Sequence, residues 1–197
     1  METVIITTTP DAARLRAAMV GSLTAGGHLR TPAIIDAFTE IERHLFLPGT
    51  GLEAAYDNDA VPIKHDDDGT MISCISAPSI VATQLEQLGV RPGDVVFEAG
   101  AATGYNAALL ARLAGPAGHV WSVDVDEDLV QGAAAHLKAA GVANATVVLG
   151  DGAAGLPGQA PFDRVQFTVG SADVPPAILG QVGPGGRLVI PMRVRGS

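Results

Sequence analysis

The sequence predicts an α/β fold built on a parallel sheet that is doubly wound by helices. From residue 91 onward, short apolar runs rich in β-branched residues alternate with stretches of helical periodicity, and this alternation is typical of strand–helix–strand units. The expected strands are 94–98, 119–124, 145–149, 162–168 and 186–191, and the expected helices are 104–114, 126–140 and 174–182. Because crossovers between parallel strands are right-handed, the first of these strands should lie near the centre of the sheet.

Residues 1–90 lack this alternation, and we expect them to form a lid of helices and loops against the sheet. Asp11 can cap a helix that runs to about Leu23. Pro32 begins a second helix, whose apolar face at helical spacing consists of Ile34, Ile35, Phe38 and Ile41. A third helix is expected over 79–88, and its buried side consists of Ile80, Val81, Leu85 and Leu88.

The remaining N-terminal segments carry weaker patterns. Residues 1–10 are predicted as a loose lead or an edge strand, and residues 48–70 are predicted as loop because they contain prolines, glycines and an acidic run. No linker separates 1–90 from 91–197, so the helical region and the sheet are expected to form one compact domain.

The composition indicates a globular protein that works in the cytoplasm. Hydrophobic residues make up 47% of the 197 residues and the formal net charge is −9, whereas a protein that grips the nucleic-acid backbone needs clustered basic residues. Cys74 is the only cysteine, which fits a reducing compartment. The N-terminus lacks the basic region of a signal peptide, and no apolar stretch approaches the roughly 18 residues of a membrane span. We expect neither nucleic acid nor membrane as a partner, and the oligomeric state stays open.

The most informative segment is the predicted turn between the first strand and the first helix of the sheet. It reads Glu98-Ala-Gly-Ala-Ala-Thr-Gly-Tyr-Asn106, so the chain turns tightly on glycines and brings bare backbone N–H groups to the start of a helix. Asp124 and Asp151 follow the next two predicted strands. Because ligands of doubly wound sheets bind at the carboxyl ends of the strands, these acids and Glu98 indicate a ligand site at that edge.

The spacing of the glycines and the acids favours S-adenosylmethionine as the ligand. Ala102 stands where the second glycine of a dinucleotide-binding G-x-G-x-x-G turn would let a pyrophosphate approach, and the chain has no G-x-x-x-x-G-K-[ST] loop. Glu98 would repel phosphate but suits a ligand that carries a sulfonium and an ammonium group. Asp124 can accept hydrogen bonds from both ribose hydroxyls. No metal is expected, because the histidines show no ligand spacing.

Several segments resemble the protein-L-isoaspartate O-methyltransferase family, and the resemblance extends from about residue 16 to the end. In the family order they are Arg43-His-Leu-Phe46 with Pro48, Ile75-Ser-Ala-Pro78, residues 95–110, Gly150-Asp-Gly152, Ala160-Pro-Phe-Asp163 and Gly185-Gly-Arg-Leu-Val-Ile-Pro191. The resemblance implies a Rossmann-like class I S-adenosylmethionine-dependent methyltransferase sheet. It also implies methyl transfer to a side-chain carboxylate, isoaspartyl or aspartyl, of a peptide or protein, with S-adenosylhomocysteine as the product.

The resemblance further implies roles for particular residues. Ser76 would be the catalytic position beside the acceptor, the glycine turn would bind the methionyl part, Asp124 the ribose, and Asp151 would lie near the adenine. The full cofactor-binding set is Glu98, Ala99, Gly100, Ala101, Thr103, Gly104, Tyr105, Asn106, Asp124, Val125, Asp151 and Gly152. A carboxylate with a pKa of about 4 is already ionised at neutral pH, so this reaction needs no general base.

Two features depart from the family pattern, and alternatives stay open. Ser79 stands where the family usually has histidine, and the chain ends at Ser197, so two further strands after 186–191 are expected to be missing. One alternative is an actinobacterial-type relative that methylates an aspartate in a ribosomally made peptide, where the neighbouring amide converts the ester into an aspartimide. A small-molecule methyltransferase and a module that binds S-adenosylmethionine without catalysis are the others.

Overall fold

The computed structural model describes residues 10–193, so nearly all of the predicted lead or strand at 1–10 lies outside the described residues. Residues 10–90 fold into helices and one β-hairpin. Their elements in chain order are α1 (Pro10–Ala25), α2 (Pro32–Glu40), a 3₁₀ helix (Arg43–Phe46), α3 (Leu52–Tyr56), β1 (Val61–His65), β2 (Met71–Ile75) and α4 (Pro78–Leu88). Helices α1, α2 and α4 confirm the three N-terminal helices that the sequence predicts.

The rest of the described chain alternates strands and helices. The elements are β3 (Val95–Ala99), α5 (Tyr105–Ala114), β4 (His119–Asp124), α6 (Glu127–Ala139), β5 (Ala145–Leu149), a 3₁₀ helix (Pro157–Gln159), β6 (Phe162–Phe167), α7 (Pro176–Leu179) and β7 (Val182–Val189). The strands form one parallel sheet in the order β5-β4-β3-β6-β7. This order confirms the predicted doubly wound sheet with β3 at its centre.

Consecutive residues of β3 enter two different hydrophobic clusters. Val96 belongs to the larger cluster, which includes the N-terminal helices, whereas Phe97 belongs to a smaller cluster with Phe162 and with Ile178 of α7. Because side chains along a strand point alternately to opposite faces, the sheet is covered on both sides, as predicted. The N-terminal helices and the sheet thus share one of these cores.

The prediction of a loop over 48–70 is wrong, because α3 and β1 lie within it and β1 pairs antiparallel with β2. Some of the residues that suggested a loop, namely Pro62, the acidic run 66–68 and Gly69, belong to the hairpin. Pro62 lies in β1, where a two-stranded ribbon leaves an open edge that tolerates proline. Asp66 closes the turn by accepting hydrogen bonds from the backbone N–H groups of Asp68 and Thr70, at 3.1 and 2.8 Å.

Four smaller predictions also differ from the structure. Ile80 is 52% exposed rather than buried, because α4 turns the stripe that starts at Pro78 and includes Val81 toward the core. Ile41 lies just beyond α2. The helix expected over 174–182 shortens to α7, and the last strand begins earlier, as β7.

Candidate active site

One cavity of about 520 Å³ lies beside the carboxyl ends of β3, β4 and β6. Its walls come from four segments that are distant in sequence: β2 with the residue after it (71–76), the loop after β3 (100–103), the loop after β4 (124–126) and the loop after β6 (168–170). Its size falls within the roughly 300–1,000 Å³ of typical small-molecule sites. The other lining residues are Lys64, Val81, Gln84, Tyr105, Asn106, Leu129 and Arg193.

The glycine turn after β3 is held tightly against the loop after β6. Gly100 has a φ of +102°, and a Cβ added there would lie 2.3 Å from Oγ1 of Thr168. The Thr168 hydroxyl donates a hydrogen bond to the carbonyl oxygen of Gly100 at 2.7 Å. Gly104, at φ +89°, precedes the first residue of α5. Both glycines are therefore required by the backbone itself, since L side chains rarely adopt these angles.

The carboxylate of Asp124 organises the loop above the sheet. Its Oδ2 accepts a hydrogen bond from the backbone N–H of Ala102 at 3.0 Å, and its Oδ1 accepts one from that of Asp126 at 3.2 Å. The first of these bonds supports Ala102 at a φ of +45°, the one left-handed residue other than glycine in the described part of the chain. Asp124 lies at the end of β4, lines the cavity and presents a fixed acceptor to it.

Glu98 does not reach the cavity wall, contrary to the direct role expected from its position. It is fully buried in the centre of the sheet, paired in register with Ser122 on β4 and with Gln166 on β6. Its oxygens accept hydrogen bonds from the Ser122 hydroxyl at 2.5 Å and from the Asn106 side-chain amide at 2.6 Å. Burial raises the pKa of Glu98 to about 7. Any action of Glu98 on a ligand would therefore pass through Asn106, which does line the cavity.

Four other predicted cofactor residues also lie outside the cavity lining: Ala99, Gly104, Asp151 and Gly152. Asp151 is exposed, and its carboxylate accepts a hydrogen bond from the N–H of Ala153 at 2.9 Å, so it shapes its own turn. Gly152 serves close packing, because a Cβ there would lie 2.6 Å from the Cβ of Ala99. The predicted residues that the structure does bring together at the cavity are Ser76, Gly100, Ala101, Thr103, Tyr105, Asn106, Asp124 and Val125.

The hairpin supplies a wall that the sequence reasoning missed. All of β2 lines the cavity, as does Lys64 of β1. The ammonium group of Lys64 binds the carboxylates of Asp126 and Asp128 at 2.5 and 3.2 Å and so ties the hairpin to the loop after β4. The loop after β6 was also missed, although the carboxyl-end rule that pointed to Asp124 applies equally to residues 168–170. The hairpin gave no comparable signal: β1 lies within the segment 48–70 that was predicted as loop, and no strand was predicted at β2.

The cavity wall fits S-adenosylmethionine in its donors and acceptors. Within the described residues, Oγ1 of Thr103 and Oδ1 of Asn106 are buried without a hydrogen-bond partner, and both residues line the cavity. Buried polar atoms are normally paired, so such orphans are atoms that a ligand can satisfy. Together with the fixed carboxylate of Asp124, they match a ligand that carries ammonium and ribose donors.

Residues 10–193 show neither a metal site nor a membrane-spanning helix. No group of three or more His, Cys, Asp or Glu side chains converges there to hold a metal ion. No helix in the same range combines the length and apolarity that crossing a bilayer requires.

Comparison with known protein families identifies similar proteins over most of the chain. The family model for Protein-L-isoaspartate(D-aspartate) O-methyltransferase (PCMT) matches residues 14–197. A protein-L-isoaspartate O-methyltransferase of Ignicoccus hospitalis is 37% identical over 174 residues, which are 88% of this chain and 80% of the relative. One of Methanopyrus kandleri is 38% identical over 180 residues, or 91% of this chain and 77% of the relative.

Solved structures show the same fold. A structure of a protein-L-isoaspartate O-methyltransferase superposes with a TM-score of 0.82 and 32% identity over 90% of this chain and 55% of its own. A second one, from Plasmodium falciparum in complex with S-adenosyl-L-homocysteine, gives a TM-score of 0.79 at 17% identity over 92% of this chain and 85% of its own. The class I methyltransferase fold expected from the motifs is thereby confirmed.

Proposed function

Because the chain belongs to the protein-L-isoaspartate(D-aspartate) O-methyltransferase family, we propose that it transfers the methyl group of S-adenosylmethionine to the side-chain carboxylate of an isoaspartyl residue in a peptide or protein. The family membership confirms the resemblance drawn from the motifs. The relatives give no support to the aspartimide-forming alternative or to a non-catalytic binding module.

A single observation supports this proposal within the structure. One cavity joins the segment that contains Ser76 to the glycine turn and to Asp124. A methyl donor held by the turn and an acceptor held beside Ser76 would therefore share one cavity. The N-terminal region supplies the acceptor side and the sheet supplies the donor side, which is how residues 1–90 would act as a lid over the core at 91–197.

The cofactor side divides into parts that suit different groups of S-adenosylmethionine. Asp124 would accept hydrogen bonds from the ribose hydroxyls, and Oδ1 of Asn106 would accept one from the methionyl ammonium. Val125, 73% exposed at the rim of the cavity, offers apolar surface for the adenine ring. When bound, this cofactor supplies an electrophilic methyl group on a sulfonium centre.

The residues of the acceptor side have to orient a nucleophile rather than create one. The acceptor carboxylate is ionised at neutral pH, so the enzyme gains rate by aligning its oxygen with the methyl group at near-attack distance. The Ser76 hydroxyl would orient this carboxylate by donating a hydrogen bond. Once both substrates are bound, the hairpin and the three loops that line the cavity would limit the access of water, which favours a reaction that joins an anion to a cation.

The rim of the cavity suits a peptide. Met71, Ile72 and Val169 are between 47% and 56% exposed, and all three line the cavity. Exposed apolar side chains grouped around a cavity are typical of binding surfaces. They would cover the chain on either side of the acceptor residue.

Methyl transfer to matched peptides tests the proposed function. The protein is incubated with methyl-labelled S-adenosylmethionine and an isoaspartyl peptide, with the same peptide carrying ordinary aspartate as the control. We expect base-labile label on the isoaspartyl peptide and little on the control. Label on the aspartyl peptide alone would favour the aspartimide-forming alternative, and cofactor binding without label on either peptide would contradict the proposal.

A further inference from the structure

Arg43 is a fully buried cation immediately behind the cavity. It opens the 3₁₀ helix between α2 and α3, and its side chain is inaccessible to solvent. Its Nε donates a hydrogen bond to the carbonyl oxygen of Ala55 at 2.8 Å, and its Nη2 donates one to that of Ser76 at 3.1 Å. Its guanidinium carbon lies 5.0 Å from the centroid of the Tyr105 ring. Ser76 and Tyr105 both line the cavity, whereas Arg43 does not.

No carboxylate neutralises this cation within residues 10–193. None of the ion pairs found there includes Arg43, and its Nη1 is buried without a hydrogen bond of normal geometry. The side chains that act on Arg43 are Tyr105, through a hydrogen bond and electrostatically, and Tyr56 and Cys74, electrostatically; none of the three is a carboxylate. Burial lowers the pKa of Arg43, but a guanidinium starts so high that it stays charged.

A buried charge without an opposite charge beside it is costly to a folded protein even when it is hydrogen-bonded, and proteins rarely keep one unless something compensates for it. The acceptor in the proposed reaction is an anion, and it would enter the cavity on the side of Ser76. The carbonyl that Arg43 holds belongs to that same residue. The acceptor carboxylate would therefore supply, beside Ser76, the negative charge that Arg43 lacks.

We propose that Arg43 is a positioning residue that makes the site select an anionic acceptor. Its hydrogen bond to the Ser76 carbonyl fixes the segment between β2 and α4, and its unneutralised charge attracts the acceptor carboxylate from behind the cavity wall. This inference rests on the proposed function, since it takes the acceptor to be a carboxylate beside Ser76.

Peptide binding tests the charge preference without requiring catalysis. The protein is saturated with S-adenosylhomocysteine and titrated calorimetrically with an isoaspartyl peptide or with the same peptide carrying isoasparagine, whose carboxamide is neutral. We expect the wild-type protein to prefer the carboxylate roughly tenfold, as a charge acting across a partly screened distance allows. Arg43→Gln should lose that preference, and Arg43→Lys should retain most of it.

Steady-state kinetics test the positioning role. Arg43→Gln should raise the KM for the isoaspartyl peptide roughly tenfold, with little change in the KM for S-adenosylmethionine. Arg43→Lys keeps the charge but lacks the planar fork that reaches two carbonyls, so its kcat should fall while the carboxylate preference stays. Arg16→Gln is the matched control, because Arg16 pairs with Glu42 at 3.3 Å and does not line the cavity.

Three outcomes overturn the inference. The first is equal affinity of the wild-type protein for the two peptides, whether both bind or neither does. The second is an unchanged preference for the carboxylate peptide in Arg43→Gln. The third is a wild-type kcat in Arg43→Lys. If circular dichroism shows that Arg43→Gln does not fold, the lysine variant still decides the positioning role. Absence of methyl transfer by the wild-type protein would instead count against the proposed function, while the binding comparison would still test the charge preference.

Discussion

The carboxylate of Asp124 holds the backbone around it, and its surroundings leave it able to take the proposed role of ribose acceptor as well. Its two hydrogen bonds with backbone N–H groups hold the loop after β4 and the strained Ala102, and carboxylate oxygens have room for further donors from a ligand. Its position at a strand end was predictable from sequence alone, because apolar strands followed by an acid place that acid at the sheet edge. Its bond to Ala102 was not, since it depends on how the glycine turn folds back.

Removal of this carboxylate should weaken cofactor binding. In Asp124→Ala the proposed ribose acceptor is lost and the Ala102 N–H loses its partner, so we expect the binding free energy of S-adenosylhomocysteine to fall by roughly 2–3 kcal/mol. Isothermal titration calorimetry measures this. Asp128→Ala is the control, because that side chain is 87% exposed and does not line the cavity. Equal affinities in the two variants would contradict the assignment of Asp124.

Glu98 shows what a motif cannot reveal about a side chain. Its place before the glycine turn suggested contact with a cationic ligand, but the register of β3 with β4 and β6 turns it between Ser122 and Gln166 in the sheet interior. Asn106 then connects this buried layer to the cavity, since its amide nitrogen contacts both Glu98 and Gln166. Side-chain direction depends on neighbouring strands that are far away in sequence, which is why only the structure settles it.

The raised pKa of Glu98 predicts how stability depends on pH in the cofactor-free protein. Between its ordinary value of 4.5 and its folded value of about 7, the folded state holds a proton that the unfolded state has released. Stability should therefore decline as the pH rises through this window, by roughly 3 kcal/mol in total, and level off above it. Glu98→Gln cannot titrate and should lack this part of the decline. Urea unfolding at pH 5, 6, 7 and 8 compares the two proteins, and parallel profiles would refute the prediction.

The turn between β3 and α5 is the element on which the cofactor side depends. Gly100 combines a left-handed backbone with contact to the loop after β6, so the turn and that loop form a single packed unit. The motif predicted the turn correctly because glycine spacing is a local property. The contact with Thr168 joins residues far apart in sequence and was not foreseen.

A side chain at Gly100 should damage this unit. In Gly100→Ala the added Cβ would lie 2.3 Å from the Thr168 hydroxyl oxygen and 2.9 Å from Cγ1 of Val169, at a φ of +102°. Strain and overpacking together should lower the free energy of unfolding by roughly 2–4 kcal/mol, as urea denaturation would measure. Gly132→Ala is the control, because Gly132 lies within α6 with open space around its Cβ position. It should stabilise the protein by up to about 1 kcal/mol, and a similar loss in both variants would argue against the contact.

The periodicity of apolar residues predicted helices and strands well where that periodicity matches the buried face. It predicted them poorly where contacts between distant residues determine the structure. β3, α5, β4, α6 and β6 lie close to their predicted positions because each carries buried apolar side chains. α7 and β7 depart from their predicted bounds. The hairpin of β1 and β2 was not predicted, because its residues are largely half-buried or exposed and its attachment depends in part on the Lys64–Asp126 ion pair. An ion pair between residues so far apart leaves no periodic trace in the sequence.

The molecule as a whole places its cavity where two regions meet. β2, Ser76, Lys64 and two residues of α4 come from the N-terminal region, whereas most of the other walls come from loops of the sheet. The same two halves share the larger hydrophobic cluster, in which Phe38 of α2 meets Tyr105 of α5 edge to face at 6.4 Å. A lid that shares a core with the sheet should not unfold separately from it. We therefore propose that the two regions on either side of residue 90 have different roles in the site but unfold as one unit.

Thermal unfolding tests this coupling together with cofactor binding. Differential scanning calorimetry of the wild-type protein should show one transition, with equal calorimetric and van't Hoff enthalpies. Because a ligand in the cavity would contact both halves, S-adenosylhomocysteine at a hundred times its Kd should stabilise the folded state by about 2.7 kcal/mol and shift that single transition upward by about 5–10 °C. The same concentration should shift Asp124→Ala far less, because its cofactor affinity is reduced. Two resolved transitions, with only the later one moved by the ligand, would mean that the N-terminal helices fold independently and that the shared core does not couple the acceptor side to the cofactor side.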